Sequence, residues 1–369
     1  MDRSIYFYSD STELGGAELA LLMLVEGVRE SWEVTVLVDD LPTSLPLRER
    51  AEALGVTVRA VEPMPLGPAG VAPAVRLCRQ LRRERPTLFH AHLSWPLAAK
   101  WALAAAVTAG VPSVATVHLI PEFELERSSY WQLRALSRGV GRYIAVSRAL
   151  GDELVGRFRF PAEKVEVVYN AVRLERFPES PPPGLREEIT GGSERPLVLT
   201  CARLDEQKGL DVLLRAAAEV PEATFALAGT GPLGPSLEGL AGELGLGERV
   251  RFLGYRADVP DLLAAADVFA LPSLFEGSPL AVLEAMAARR ALVSSAIGGT
   301  NEVVVDGESG LLVPPGDSDA LAAALRRLLE DQQLRGRLGG AARARVEQHF
   351  TPQVARQQIE TIYRELAAP

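Results

Sequence analysis

Cysteine and histidine are scarce in this sequence, and their scarcity excludes several kinds of protein. The 369 residues contain two cysteines, Cys78 and Cys201, and four histidines. The cysteines stand far apart, and neither belongs to a Cys-x-x-Cys pair or to a Cys/His ligand spacing. A disulfide framework and a structural zinc site are therefore not indicated, and we expect two buried free thiols.

Long apolar runs and an excess of positive charge are also missing. No basic segment leads into an apolar stretch near the start, and the alanine-rich run 101–107 is too short to span a bilayer. We therefore expect a cytoplasmic protein, with attachment to the inner face of a membrane left open. The formal net charge of −9 argues against general nucleic-acid binding, because that affinity comes from cations that neutralise phosphates.

The negative charge is distributed unevenly along the chain. The net charge is −1 before Pro183 and −8 from that residue onward. An anionic ligand in the second part would therefore need specific cations directed at it.

Short apolar runs alternate with helical patterns along most of the chain, which predicts βαβ units and parallel sheets. A chain of 369 residues favours two α/β domains, with a single large barrel as the alternative. Strands are predicted at 4–8, 34–38, 56–60, 88–91, 113–117, 143–146, 165–168, 196–201, 224–228, 250–253, 268–271, 291–294 and 311–313.

The proline-rich segment 178–184 predicts a linker, because proline lacks an amide donor and restricts the residue before it. It separates a first domain, 1–177, from a second domain, 185–351. The remaining residues, 352–369, are predicted to form a helix that crosses back to the first domain.

Two glycine-rich segments follow predicted strands. Gly15 and Gly16 precede a helical run, where backbone amides and the helix dipole would favour a phosphate, although the pair could serve only a turn. Gly229 and Gly231 fit G-x-G-x-x-G formally, but Pro232 removes an amide from the supposed cradle. We interpret the second segment as a turn that lines a nucleotide cleft rather than as a dinucleotide fingerprint.

Cations follow the first strand of the second domain, at the end where parallel sheets bind ligands. Arg203 could hold phosphate oxygens with its planar guanidinium, and Lys208 could add a compact charge. Together they would neutralise a departing diphosphate. The alternative is a surface ion-pair cluster with Asp205 and Glu206.

Two carboxylates eight residues apart, Glu276 and Glu284, flank a predicted helix start. Ser278 is a good N-cap and Pro279 a good first helical residue, so the amides of the next two residues, Leu280 and Ala281, would be free to meet an anion. Glu276 would lie on the preceding loop and Glu284 more than one turn inside the helix. The alternative is a capped helix with two incidental glutamates, which the apolar surroundings of Glu284 make less attractive.

Three histidines stand at predicted strand ends. His90 and His92 flank Ala91, and His118 follows the strand 113–117. His92 and His118 could both face a ligand crevice and bond sugar hydroxyls, whereas the alternative for each is a hydrogen-bonded core imidazole.

A basic stripe recurs at helical spacing in the first domain. It consists of Arg76, Arg79, Arg82 and Arg83. Such a stripe could rest on anionic lipid near a lipid-linked acceptor, and a solvated helix face is the alternative.

Taken together, these motifs resemble the retaining glycosyltransferases of family 4, also called glycosyl transferases group 1. The similarity covers nearly the whole chain and rests on GGAE at Gly15, ATVH at His118, AVS at Ser147, YNAV at Asn170, ARLDEQKG, AGTGP, FEGSPLAVLEAM and GGTNEVV. The spacing of Glu276 and Glu284 is similar to the E-x7-E motif of that family. The resemblance implies the GT-B fold, in which two Rossmann-like domains with parallel sheets face each other across a deep cleft.

The resemblance also implies roles for individual residues. Arg203 and Lys208 would bind the donor diphosphate, assisted by amides near Gly16 and by those of Leu280 and Ala281. Glu284 would hold the ribose, Glu276 the transferred sugar, and His118 would lie beside that sugar. The donor pocket would also include Gly15, Gly229, Gly231, Gly254, Tyr255, Gly277, Ser278 and Pro279, with Gly254 and Tyr255 near the base.

The implied activity is transfer of a hexose-type sugar, with retention, from a nucleotide diphosphate sugar. UDP is favoured over GDP as the nucleotide, no metal is expected, and the acceptor would be a glycan, a lipid-linked or a small molecule, as in polysaccharide biosynthesis. A sugar-nucleotide epimerase or a sugar phosphorylase of the same architecture is the nearest alternative. A nucleotide-sugar-binding protein without catalysis is another.

Overall fold

A computed structural model describes residues 3–10, 14–120 and 125–368 of the chain. It divides into two compact units, of which the first comprises Met1–Asn170 with Pro352–Pro369 and the second Ala171–Thr351. Each unit is built around one parallel sheet.

The first unit contains a seven-stranded parallel sheet in the order β3-β2-β1-β4-β5-β6-β7. Its strands are β1 Ser4–Ser9, β2 Glu33–Asp39, β3 Thr57–Val61, β4 Leu88–Leu93, β5 Ser113–Val117, β6 Arg142–Ala145 and β7 Val165–Val167. The strand order reverses between β1 and β4, so the connections leave a crevice at the carboxyl ends of these two strands.

The second unit repeats this arrangement with six parallel strands in the order β10-β9-β8-β11-β12-β13. Its strands are β8 Leu197–Cys201, β9 Thr224–Ala228, β10 Val250–Gly254, β11 Val268–Leu271, β12 Ala291–Ser295 and β13 Leu311–Val313. Here the order reverses between β8 and β11.

The prediction of two Rossmann-like α/β sheets is confirmed, and the single barrel is excluded. Each predicted strand is present in the described part of the chain, with bounds that differ by at most two residues. The central strands could be recognised because they are buried on both faces and so carry continuous apolar runs, as in LVLTC of β8.

Fifteen α-helices connect the described strands or follow them. They are α1 Gly16–Val28, α2 Leu45–Ala53, α3 Val71–Glu84, α4 Lys100–Ala109, α5 Arg127–Gly139, α6 Arg148–Gly156, α7 Leu185–Thr190, α8 Leu210–Ala218, α9 Gly234–Glu243, α10 Val259–Ala265, α11 Leu280–Ala287, α12 Gly298–Val303, α13 Ser318–Glu330, α14 Gln332–His349 and α15 Pro352–Leu366.

The C-terminal helix α15 belongs to the core of the first unit. Its Ile359, Ile362 and Tyr363 are buried together with apolar residues of α1 and β1. The Tyr363 ring meets Trp32 edge to face, with 5.6 Å between the ring centroids. This aromatic contact adds direction to the apolar packing of the helix.

The chain passes from the first unit to the second after Asn170. The Val172 amide donates to the Phe350 carbonyl, at 2.9 Å, and so ties the entry of the second unit to its exit. The proline-rich segment 178–184, predicted as the linker, accordingly lies inside the second unit.

Both cysteines are buried free thiols, as predicted. Within the described ranges, no helix is long and apolar enough to cross a membrane.

The four arginines predicted to form a basic stripe are exposed on α3. Arg76 pairs with Glu62, and Arg82 donates to the Thr108 carbonyl at 2.8 Å. Contact between this stripe and anionic lipid stays a prediction.

Arginines of α14 hold the carboxyl ends of the helices beside it. Arg343 donates to the Ala287 carbonyl at the end of α11, at 2.5 Å, and to the Leu174 carbonyl at 3.4 Å. Arg345 donates to the carbonyls of Val303 and Glu302 at the end of α12, at 2.7 and 2.8 Å. Cations at helix carboxyl ends bind otherwise unpaired carbonyls and complement the helix dipole.

We predict that Arg343→Met destabilises the second unit, because it leaves two carbonyls without their charged donor. The expected loss is about 2 kcal/mol of unfolding free energy. Urea unfolding followed by circular dichroism measures it. Arg343 pairs with Glu347, four residues on, at 2.7 Å. Arg48→Met is the matched control, since Arg48 pairs with Glu52 at the same spacing, at 2.9 Å, on the surface. Equal effects of the two substitutions would contradict the capping role.

Candidate functional site

The predicted site of the second unit lies where its strand order reverses. The segment with Arg203 and Lys208 follows β8, and the segment with Glu276 follows β11. These strands are neighbours in the parallel sheet, so both loops leave the sheet at the same edge. The fold therefore brings the two sequence motifs together, although some seventy residues separate them along the chain.

Lys208 and Glu276 form an ion pair at this edge. The Lys208 Nζ lies 2.6 Å from Glu276 Oε1, and the two side chains are 17% and 7% exposed. Two charges shielded from water to this extent interact strongly, and each depends on the other for compensation. The sequence predicted both residues for the site without predicting their contact.

Two further residues bind the same carboxylate, and sequence reasoning missed both. Ser273 Oγ donates to Glu276 Oε1 at 2.8 Å, and Gln207 Nε2 donates to Glu276 Oε2 at 3.2 Å. The only signal in the sequence was the position of Gln207, directly before Lys208 in the cationic loop. Gln207 is uncharged and belongs to no motif spacing, so no sequence pattern marks it as part of a site.

Arg203 lies on the same loop and is more accessible. Its Nη2 is 2.6 Å from Asp205 Oδ2, and its side chain is 56% exposed. The ion pair that the sequence offered as an alternative is thus present for Asp205. An ion pair whose cation is open to solvent contributes little to stability, so an anionic ligand could take the place of Asp205 at small cost.

The helix after Glu276 begins one residue later than predicted. Pro279 has an extended backbone, with φ of −72° and ψ of 107°, and α11 starts at Leu280. The Pro279 carbonyl accepts the amides of Val282 and Leu283, at 3.2 Å each, which makes Pro279 the capping residue in place of Ser278. Leu280 and Ala281 remain the first-turn residues, whose amides have no carbonyl partner inside the helix.

Glu284 lies inside α11, as predicted, and is largely screened from water. Burial raises the pKa of its carboxyl to about 7, and the positive charge of Arg176 opposes that rise. Desolvation disfavours the charged form of an acid, so the carboxylate gains from any ligand that donates hydrogen bonds to it. A vicinal diol is such a ligand.

The glycines at 229 and 231 allow two loops to touch. A Cβ atom at Gly229 would lie 1.9 Å from the Ala202 carbonyl oxygen, and one at Gly231 would lie 2.4 Å from that of Leu204. The Leu204 amide donates to the Thr230 carbonyl at 3.0 Å. The loop after β9 therefore supports the backbone on either side of Arg203, as a glycine-rich turn would.

Tyr255 presents an exposed ring beside these loops. It follows Gly254, which has a φ of +65° and whose carbonyl accepts the Gly229 amide at 2.8 Å. The next residue, Arg256, is fixed by two bonds to Asp258, at 2.8 and 2.6 Å. The ring of Tyr255 is 67% exposed. An exposed aromatic ring on a fixed backbone is suited to contact a planar ligand.

In the first unit, Gly15 and Gly16 stand at the start of α1, as predicted. The Gly15 amide donates to Glu18 Oε2 at 2.9 Å, and the Ser9 hydroxyl donates to Glu18 Oε1 at 3.3 Å. The carboxylate of Glu18 therefore already engages one of the amides expected to meet a phosphate.

The three histidines lie side by side in a row, called the histidine file below. His90 and His92 are on β4, and His118 directly follows β5. His118 Nε2 lies 3.1 Å from His92 Nδ1, and their rings stack with centroids 5.2 Å apart. His90 bonds the Tyr363 hydroxyl through Nδ1 at 2.5 Å and the Thr116 hydroxyl through Nε2 at 2.8 Å. Both ring nitrogens of His90 are therefore paired. His90 is the hydrogen-bonded core imidazole that the sequence offered as the alternative. Nε2 of His118 faces His92, so a ligand could reach the His118 ring through Nδ1.

Burial keeps this file uncharged. It lowers the pKa of His118 to about 4 and that of His90 to about 3, and it lowers the pKa of His92 well below its usual range. All three rings are therefore neutral near pH 7. A neutral imidazole bonds hydroxyl groups without adding a positive charge.

Both halves of the chain match known families of sugar-transferring enzymes. Residues 185–345 match the family described as glycosyl transferases group 1. Residues 14–176 match the family described as glycosyltransferase family 4. The two matches together span both units.

Individual proteins agree with these matches. The chain is 30% identical to an alpha-D-kanosaminyltransferase of Streptomyces kanamyceticus, over 78% of this chain and 80% of that one. It is 32% identical to a glycogen synthase of Mycobacterium tuberculosis, over 76% and 69% of the two chains. The crystal structure of HepE of Anabaena in complex with UDP and glucose superposes with a TM-score of 0.86 at 26% identity, covering 98% of this chain and 100% of that one.

These similarities span the residues from Gly15 to Glu284 that carry the predicted site. The chain belongs to the family 4, group 1 glycosyltransferases, which have the GT-B fold.

Proposed function

We propose that this glycosyltransferase moves a hexose-type sugar from a UDP-sugar to a hydroxyl group, with retention of anomeric configuration and without a metal. The observation that carries the proposal is the buried pair of Lys208 and Glu276 beside the start of α11. In this pair a cation suited to a diphosphate lies next to a carboxylate suited to sugar hydroxyls.

The cations account for the leaving group. Lys208 has three N–H donors and gives one to Glu276, so two remain for phosphate oxygens. Arg203 can exchange Asp205 for a diphosphate, and the amides of Leu280 and Ala281 add donors at a helix start. These groups would stabilise the charge that develops on the departing diphosphate, which is the main requirement of the transition state.

The carboxylates account for the two sugars of the donor. Glu284 would accept hydrogen bonds from the ribose hydroxyls, and this favours its charged form against the cost of burial. Glu276 would accept from the transferred sugar. We assign His118 to the transferred sugar as well, through Nδ1, and the ring and backbone of Gly254 and Tyr255 to the base.

Retention follows, in this proposal, from attack on the face that the diphosphate leaves. The oxygen of the departing phosphate takes the acceptor proton as the new glycosidic bond forms. His118 is neutral near pH 7 and so contributes a hydrogen bond rather than a charge.

UDP is favoured because HepE, with 26% identity over nearly the whole chain, has been crystallised with UDP and glucose. An acceptor that is a glycan, a lipid-linked sugar or a small molecule fits the proposal.

An epimerase or a phosphorylase would form product from the sugar nucleotide alone or with inorganic phosphate. Release of UDP that depends on an acceptor would distinguish transfer from both, and from binding without catalysis.

We predict that Glu276→Ala abolishes transfer but leaves UDP affinity within about threefold, because UDP lacks the transferred sugar. Lys208→Ala should lower both, with UDP affinity falling about tenfold or more as a charge-assisted bond is lost. Thermal shift with UDP and acceptor-dependent UDP release measure the two effects. Lys164→Ala is the control, since Lys164 bonds two carbonyls of the first unit, at 2.6 and 2.8 Å. An unchanged rate in either site variant would mean that the site is misplaced.

We predict that affinity for UDP-glucose rises with pH around neutrality. Glu284 has a pKa raised to about 7, and ribose hydroxyls favour its charged form, so binding strengthens as the carboxyl loses its proton. The rise should reach about tenfold between pH 6 and 8. Calorimetric titration of the wild type and of Glu284→Gln measures it, and the same rise in both proteins would exclude Glu284 as the cause.

We predict that transfer proceeds at an unchanged rate in EDTA, because Arg203 and Lys208 supply the positive charge at the leaving group. The measurement is acceptor-dependent UDP release before and after dialysis against the chelator. Complete loss of activity that magnesium or manganese restores would count against this mechanism.

A further inference from the structure

The carboxylate of Glu276 is nearly saturated with hydrogen-bond donors before any ligand arrives. A carboxylate has about four lone-pair sites, two on each oxygen. Oε1 accepts from Lys208 Nζ at 2.6 Å and from Ser273 Oγ at 2.8 Å. Oε2 accepts from Gln207 Nε2 at 3.2 Å. Among the residues that the structure describes, these donors leave one site vacant, on Oε2.

Gln207 is itself held in place from several directions. Its Nε2 also donates to the Phe275 carbonyl at 3.0 Å, and its own backbone carbonyl accepts the Leu274 amide at 2.7 Å. Both groups that face its Nε2 are acceptors, so the reversed amide orientation would place oxygen against oxygen. The residue is 8% exposed and therefore loses little mobility when a ligand binds.

The side chain at position 207 must be neutral and must donate to the Phe275 carbonyl and the Glu276 carboxylate at once. A lysine or arginine at position 207 would add a second positive charge to the one from Lys208, and a glutamate would repel Glu276. The glutamine amide spans a backbone carbonyl and a carboxylate oxygen at once. It thereby fixes the loop of β11 and the side chain that the loop carries.

We propose that Gln207 is a positioning residue that fixes the orientation of Glu276, so that a single lone pair on Oε2 is presented to one hydroxyl of the transferred sugar. This inference rests on the proposed function, in which Glu276 contacts that sugar. It deepens the proposal by stating that recognition by Glu276 uses one sugar hydroxyl rather than two. Gln207 acts through Glu276 and touches no substrate itself.

Gln207→Met tests this role, because methionine keeps the approximate volume and removes the donor. The matched control is Gln80→Met, since Gln80 Nε2 also donates to a glutamate carboxylate, Glu84, at 3.2 Å, in the first unit. A panel of UDP-glucose, UDP-galactose, UDP-N-acetylglucosamine and GDP-mannose first identifies the best donor of the wild type. The monodeoxy analogues of that donor, one for each sugar hydroxyl, are then compared in both variants and in the wild type.

The expected result has three parts. In the wild type the deoxy analogue that lacks the hydroxyl bound by Glu276 lowers kcat/KM about tenfold to a hundredfold, as expected for a lost hydrogen bond to a charged group. In Gln207→Met, kcat with the full donor falls by a similar factor while UDP affinity stays the same. The penalty for that deoxy analogue then shrinks in Gln207→Met, because Glu276 no longer has one fixed orientation. Gln80→Met behaves as the wild type.

Other outcomes would overturn the inference. A penalty that is as large in Gln207→Met as in the wild type shows that Gln207 does not orient Glu276. A penalty that shrinks for two different hydroxyls in Gln207→Met shows that Glu276 offers more than one site, since a hydroxyl bound by His118 would keep its penalty. If Gln207→Met fails to fold, Gln207→Glu is the second variant, because it keeps the size and places an acceptor at the same position. It should show the same loss of hydroxyl discrimination. A wild type that binds none of these donors in a thermal-shift assay would instead refute the proposed function itself.

Discussion

The ion pair between Lys208 and Glu276 is the interaction on which the rest of the site depends. It joins the loops that follow two neighbouring strands, and at 2.6 Å it holds the cation proposed to bind phosphate against the carboxylate proposed to bind the sugar. A charge shielded from water needs a partner, so neither side chain can move far without the other. The hydroxyl of Ser273 and the amide of Gln207 then complete the environment of the carboxylate.

This interaction is available because the sheet is parallel and its strand order reverses between β8 and β11. Reversal opens a crevice at one edge, and the loops of the second unit that carry candidate residues leave its sheet at that edge. The glycines after β9 allow close backbone contact with Ala202 and Leu204, and the arginines of α14 hold the far ends of α11 and α12. These bonds fix α11 and α12 at the ends opposite to their first turns.

The sequence was sufficient to predict the sheets but only part of the site. Strands such as β5 and β9 are largely apolar segments in which every residue is buried, so their bounds follow from burial on both faces. The start of α11 was predicted one residue early, because residue preferences suggested Ser278 as the cap while the Pro279 carbonyl makes the first helical bonds.

Contacts between side chains were beyond such reasoning, because they depend on register and rotamers rather than on pattern. Gln207 and Ser273 carry no charge and belong to no spacing rule, yet both bind Glu276. The neutral file of His90, His92 and His118 was likewise visible only as three separate histidines. Their alignment follows from adjacent positions on β4 and β5, where His92 pairs with Thr116 across the sheet.

Tyr363 of helix α15 bonds His90, so α15 forms part of the surroundings of the three histidines. A truncation that removes α15 would expose the buried imidazole of His90, whose neighbour His92 stacks on His118. Shortening the chain for expression should therefore keep every residue through Tyr363, because the loss would extend to a ring proposed to meet the sugar.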